Sequence, residues 1–193
     1  ESDILKNVDV YSAGFNSQYG GRVSAVIDVG TRDGNKTDFK CKLGANPFSS
    51  KIVLEGPLKK FRENSTNSSI LVSYKNSYLN KSSTLFYPYI KSSLPYSFSD
   101  LYGKIAVNTN NGSKLNFFGF SFNDDVNYKN STSYNWKSNG FGSNFLLIPD
   151  GSPTVINGVF AYSTYAMTQT ESDNKPRKSN INSFNTALHF TNY

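Results

Sequence analysis

At 193 residues, 37% hydrophobic and with a mean hydropathy of -0.49, the chain is thin in aliphatic residues for a soluble sandwich; aromatics (13 Tyr, 15 Phe) with Asn, Ser and Thr take their place. No run approaches the roughly 20 apolar residues of a membrane helix, which excludes a helical span but not a membrane β-barrel, whose strands of about 10 residues can keep one face in lipid and the other in a polar lumen. The net charge of +6 is scattered singly among Asn and Ser without a basic stripe, which argues against nucleic acid, and one Cys with one His offers neither an internal disulfide nor a metal cluster.

Taken in chain order, Glu1-Ser2-Asp3-Ile4-Leu5 lacks the basic and apolar regions of a signal peptide. Val8 to Tyr11 and Val23 to Thr31 read as two short β segments around the turn-rich Gly14 to Gly21. Val23, Ala25, Ile27 and Val29 alternate with Ser24, Val26 and Asp28, which predicts a strand buried on at least one face. From about residue 37 the pattern predicts eight strands, near 37–45, 50–56, 68–76, 98–109, 113–123, 139–148, 154–168 and 180–193, with no helix. Cys41 shares an apolar face with Phe39, Leu43 and Ala45, where a small buried or lipid-facing side chain is expected rather than a reactive thiol.

The connections carry a pattern of their own. Asn110-Asn111-Gly112 and Pro149-Asp150-Gly151-Ser152 predict tight hairpins, because Asn and Gly accept the positive φ such turns require. The stretches at about 77–97, 124–138 and 169–179 are expected to be long polar loops. Tight turns at one end and long loops at the other suit an outer-membrane barrel. The connection at about 57–67 departs from that alternation by its length, and the one at Asn46-Pro47-Phe48 by its tightness.

Two strands alternate clearly. Phe184, Leu188 and Phe190 oppose Ser183, Asn185 and His189; Leu101, Gly103, Ile105 and Val107 oppose Tyr102, Lys104, Ala106 and Asn108. In 113–123, Leu115 and Phe117 share one face and Phe118, Phe120 and Phe122 the other, and periodicity alone leaves both a girdle and a core open.

Tyr19-Gly20-Gly21-Arg22-Val23-Ser24-Ala25-Val26-Ile27-Asp28-Val29-Gly30-Thr31-Arg32-Asp33-Gly34-Asn35 resembles the end of the plug domain of TonB-dependent outer-membrane receptors of the Bacteroidetes kind. Val8-Asp9-Val10-Tyr11 with Gly14-Phe15 looks like that plug's penultimate strand and turn. Leu54-Glu55-Gly56-Pro57-Leu58 and Ser73-Tyr74-Lys75-Asn76-Ser77-Tyr78-Leu79 are similar to the first barrel hairpins. The resemblance covers about residues 4–80 and is architectural beyond. It implies an all-β fold, part of a transmembrane antiparallel β-barrel with the C-terminal portion of a plug: residues 1–34 end the plug, and 35–193 supply roughly the first eight strands of a larger barrel.

The function so implied is plug-gated, energised uptake at the cell outer membrane of a siderophore, vitamin, glycan or peptide, without catalysis or cofactor. Implied partners are the energy-transducing TonB complex, through a segment upstream of this chain, and outer-membrane lipid, with room for a surface lipoprotein or other membrane partner. In the plug turn, Gly20 and Gly21 would permit the chain reversal, Tyr19 would anchor it and Arg22 would meet a lumen carboxylate or loop.

Loop aromatics Tyr78, Tyr87, Tyr89, Tyr128, Tyr134 and Trp136, interleaved with Asn, Ser and Lys, are the candidate substrate contacts, since such rings stack on sugars or flat chelates; loops packing on one another would use the same residues. Asp124-Asp125, and Asp33-Gly34-Asn35 with Asp38, lack the spaced oxygen ligands of a calcium loop and read as solvated charge. Two alternatives use the same pattern: a complete eight-stranded outer-membrane barrel, and a secreted carbohydrate-binding β-sandwich in which the apolar faces of 98–109 and 180–193 pack together.

Overall fold

The computed structural model describes residues 1–12, 14, 19, 24–60, 62, 65–87, 89, 93–128, 131–171 and 175–193. A 3-10 turn at Ser2–Ile4 leads into β1 (Leu5–Tyr11), which pairs antiparallel with β2 (Val26–Thr31) as a two-stranded ribbon. The rest forms one antiparallel meander: β3 (Lys40–Ala45), β4 (Ser49–Lys59), β5 (Asn67–Ser77), helix α1 (Leu79–Phe86), β6 (Tyr96–Asn108), β7 (Lys114–Asn127), β8 (Ser133–Leu147), β9 (Thr154–Thr170) and β10 (Pro176–Asn192). Each strand pairs with its sequence neighbours, so β3 and β10 are the edges; among the described residues they do not pair and the sheet is open.

All eight predicted strands are present, and both predicted turns form. Gly112 and Gly151 take positive φ, 86° and 73°, the torsion only glycine adopts without cost. Asn111 ties the two turns together, its Nδ2 donating to Ile148 O at 3.1 Å, while the Ser113 hydroxyl receives the Ile148 N–H at 2.9 Å.

Three expectations fail. The stretch 77–97 contains helix α1, although Leu79–Phe86 has neither a capping side chain nor strong helix formers apart from Leu and Lys. A distant contact holds it: the buried Ser83 hydroxyl accepts the Leu94 N–H at 3.0 Å. The supposed long loops at 124–138 and 169–179 are largely strand, because β7 to β10 pair without interruption until the short connections 128–132 and 171–175. Asn and Ser looked like loop formers, but a strand whose backbone finds a ladder partner in its neighbour tolerates them. Finally, β2 is not buried, since Ile27 is 65% exposed and Val29 50%. Cys41 is likewise exposed, which removes its buried reading.

The two faces of the large sheet differ. One, the docked face, carries the N-terminal turn and ribbon. Ile4 is buried there against Val53, Leu71 and Tyr102, with Phe118 and Phe120 packed around them; burying a side chain of that size contributes about 2 kcal/mol. The ambiguity in 113–123 is thereby resolved: Phe118 and Phe120 point to the docked face, over Gly142 and Gly140 of β8, where a Cβ would strike their rings. Leu115 and Phe117 point the other way.

The opposite, free face carries an apolar band. The cross-strand row Leu54, Val72, Gly103, Gly119, Phe141, Tyr162 and Phe184 lies within it, and so do the rows nearer the tight turns, with Ile105, Phe117, Phe160, Leu188 and Phe190. Phe141 and Phe184 are 65% and 69% exposed. One row in the other direction the band crosses its border obliquely: Ile52, Tyr74 and Leu101 are followed on β7 to β10 by Ser121, Asn139, Thr164 and Asn182. β6 and β10 belong to one sheet with three strands between them, so their apolar sides do not face each other as a sandwich requires.

Candidate functional site

The first constellation joins the N-terminal unit to the sheet. Arg32, just after β2, donates to the Glu55 carboxylate of β4 from Nη1 (2.6 Å) and Nη2 (3.1 Å), and its Nε donates to Asp3 O at 2.6 Å. Glu55 also accepts the Asn35 N–H at 2.9 Å. Lys51 of β4 reaches Glu1 at 2.8 Å and Asp3 at 2.6 Å, and Lys42 of β3 reaches Asp3 at 2.6 Å. These two ammonium groups hold the Asp3 carboxyl down at about 2. On β6, Lys104, 9% exposed, meets Asp33 at 2.8 Å and donates to Thr31 O at 3.0 Å, while the Tyr102 hydroxyl donates to Thr31 Oγ1 at 2.7 Å. At a partly buried interface such charge-assisted pairs are geometrically specific, and breaking one strands its partner.

Of the predicted plug turn, Tyr19 donates its hydroxyl to Asp28 at 2.9 Å and packs 5.7 Å from Tyr11. Gly20, Gly21 and Arg22 lie outside the described residues. The arginine that meets a sheet carboxylate among the described residues is Arg32, which the sequence reading did not single out; a lone Glu55 and Lys104 inside apolar strands were the available signal. Asp33 serves Lys104, and the Asn35 side-chain Oδ1 accepts the N–H groups of Thr37 and Asp38, both at 2.9 Å.

The second constellation is aromatic and lies where 46–48, 78–95 and 128–132 connect the strands. Tyr87 stacks on Phe48 with ring centroids 5.7 Å apart and meets Tyr89 edge-on at 5.6 Å. Tyr128 meets Tyr96 edge-on, their hydroxyls 3.1 Å apart, and that hydrogen bond raises the Tyr128 pKa above its ordinary value. Tyr78 is a structural tie, its hydroxyl donating to Asn46 O and Ser49 O. Tyr134 and Trp136 form a parallel stack, 5.4 Å apart and 8° from coplanar, on the docked face.

The six candidates are therefore not one cluster. Tyr87 and Tyr89 form one group, Tyr128 another and Tyr134 with Trp136 a third. The third has company that the sequence concealed: Trp136 is the cross-strand partner of Asp124, whose other partner is Phe98, and Phe98 holds Lys75 Nζ 5.2 Å above its ring. Stacked rings beside a carboxylate can hold a flat or hydroxylated ligand. Asp125, by contrast, points to the free face and accepts Asn123 (2.7 Å) and Asn135 (2.5 Å), so Asp124 and Asp125 cannot share an ion.

Between ribbon and sheet lies a cavity of about 1090 Å³, walled by Phe118, Phe120 and Phe122 on one side and by residues of the 3-10 turn, β1 and β2 on the other. No family model matches the chain, and no curated protein or solved structure is significantly similar to it.

Proposed function

We propose that the chain is part of an outer-membrane receptor of the TonB-dependent kind, with residues 1–34 ending a plug and the large sheet forming part of a barrel wall. The observation that carries this reading is the division of one continuous sheet into a free face with an exposed apolar band and a docked face that holds a charged N-terminal unit. A soluble protein rarely leaves so continuous an apolar surface in water. Lipid against the band and a wet lumen on the other side accommodate both faces.

Strand length fits as well. β7 has 14 residues and β10 has 17, whereas a tilted barrel strand needs about 9–11 to cross the bilayer. The surplus lies at the polar end, so in this reading the tight turns at 109–113 and 148–153 sit near the periplasmic surface and the strands project outward past the membrane. The substrate is captured by the stacked aromatics of the projecting end and passes when the energy-transducing complex pulls on a segment upstream of this chain. A surface lipoprotein or other membrane partner fits at that same end.

Cell fractionation tests the location: the chain should co-sediment with outer membranes, resist alkaline extraction and shift in electrophoretic mobility on boiling. Release into the soluble fraction at neutral pH would overturn the reading. For uptake, cells lacking the energy-transducing complex should retain binding of the substrate but lose its internalisation.

A further inference from the structure

The geometry points to the cavity between the ribbon and the sheet as a binding station for a ligand with a ring-shaped apolar body and a single anionic group, which deepens the uptake reading and rests on it. One wall is a ladder of three phenylalanines along β7. Phe120 and Phe122 stack 5.0 Å apart, and Phe118 continues the row. Phe118 and Phe120 pack in part against the cluster around Ile4, and all three rings line the cavity of about 1090 Å³, ample for a ligand of several rings.

Charge decides the second feature. Lys6, Lys36 and Lys114 line the same cavity, and among the described residues none has a hydrogen-bond or ion-pair partner. The acidic groups there are mostly engaged: Glu1 by Lys51 and Asp33 by Lys104, which leaves Asp28 with only the Tyr19 hydroxyl. The cavity therefore has three unpartnered ammonium groups against one carboxylate that is held by a hydroxyl alone. An anion gains from them more than a cation does, since they attract the one and repel the other.

The ladder also orients the ligand. Asp100 of β6 stands directly across from Phe122 and Asp124 lies beyond it, toward the projecting end, whereas beyond Phe118, toward the tight turns, stands Lys114. The ring body lies along the phenylalanines with its anionic group at the Lys114 end, because the reverse orientation would set like charges together.

The test uses three probes of one shape: 2-naphthalenesulfonate, 2-naphthylmethylammonium and 2-naphthylmethanol, titrated calorimetrically into the purified chain in an uncharged detergent. The sulfonate should bind about tenfold or more tighter than the ammonium, and the neutral alcohol should fall between them. Lys6→Glu with Lys114→Glu, both at exposed positions, should abolish that preference while leaving the circular dichroism spectrum unchanged. Equal affinity for all three probes, or an unchanged preference in the double variant, would overturn the inference. Outer-membrane fractionation is scored separately: a chain that fractionates correctly but does not discriminate the probes refutes the binding station alone, and one that discriminates them but stays soluble refutes the uptake reading.

Discussion

The Arg32 guanidinium meets the Glu55 carboxylate fork to fork, Nη1 to Oε2 at 2.6 Å and Nη2 to Oε1 at 3.1 Å, across 23 residues of sequence. This contact fixes the end of the N-terminal ribbon to the second strand of the sheet. Since Glu55 also accepts the Asn35 N–H, one carboxylate organises both the ribbon end and the chain that leaves it.

Arg32→Ala should therefore weaken docking of the ribbon by about 1–3 kcal/mol, mostly because Glu55 is left partly buried without its partner. Glu55→Gln should cost a similar amount. The double variant should cost clearly less than the sum, which amide hydrogen exchange of residues 2–11 would measure; strict additivity would show that the pair is not coupled.

Acid should release the N-terminal turn. Asp3 is held at about 2 by hydrogen bonds from Lys42 and Lys51, against 3.8 ordinarily. A carboxyl more acidic when docked than when released contributes fully above about pH 4, and that contribution disappears as pH falls from about 4 to about 2. Glu1 adds to the same step, since burial works against its charge but the Lys51 hydrogen bond and the Asp3 N–H outweigh it. Exchange protection of Ile4 should drop across that window. Asp3→Asn should lower protection at neutral pH and flatten most of the step, whereas an unchanged titration would mean the lysine contacts do not hold the turn.

Phe184 and Asn182 are neighbours on the same side of β10, one inside the apolar band and the other beyond its border. If the band meets lipid, Phe184→Arg should impair assembly at a cost of about 2–4 kcal/mol near the bilayer midplane, and Asn182→Arg should cost about 0–1 kcal/mol. Ile105→Arg should behave like Phe184→Arg. Urea-dependent folding into lipid vesicles gives the comparison, and equal tolerance of all three would place the band in water.

Gly34 tests packing rather than charge. A Cβ there would come within 2.1 Å of the Ile70 carbonyl oxygen of β5, backbone that cannot rotate away. Gly34→Ala should push the 33–36 segment off the sheet and cost about 1–3 kcal/mol. The disturbance should appear as loss of the Lys104–Asp33 contact, read from chemical shifts at those two residues.

Hairpin order was legible because its signals are local. Asn111-Gly112 and Asp150-Gly151 specify turns wherever they occur, and once each hairpin closes, neighbouring strands have no choice of partner. The facing of Leu101 to Val107 and of Phe184 to Phe190 was legible for the same reason, since alternation has a period of two. The candidate aromatics were legible as residues but not as groups. That Tyr134 and Trp136 stand beside Asp124 depends on the register of β7 on β8, and that Tyr78 only ties a loop depends on the register of β4 on β5.

The sequence by itself thus determined which residues pair in hairpins and which side chains share a strand face, both consequences of torsion preference and pleat. Only the tertiary structure decided how far β7 to β10 extend through Asn- and Ser-rich stretches, because a paired neighbour overrides weak strand propensity. It also decided that Leu79–Phe86 is helical, that Phe118 to Phe122 face the N-terminal unit, and that Glu55, Lys51 and Lys104 bind that unit. Those contacts join residues as far apart as Thr31 and Lys104, a separation over which no local pattern carries information.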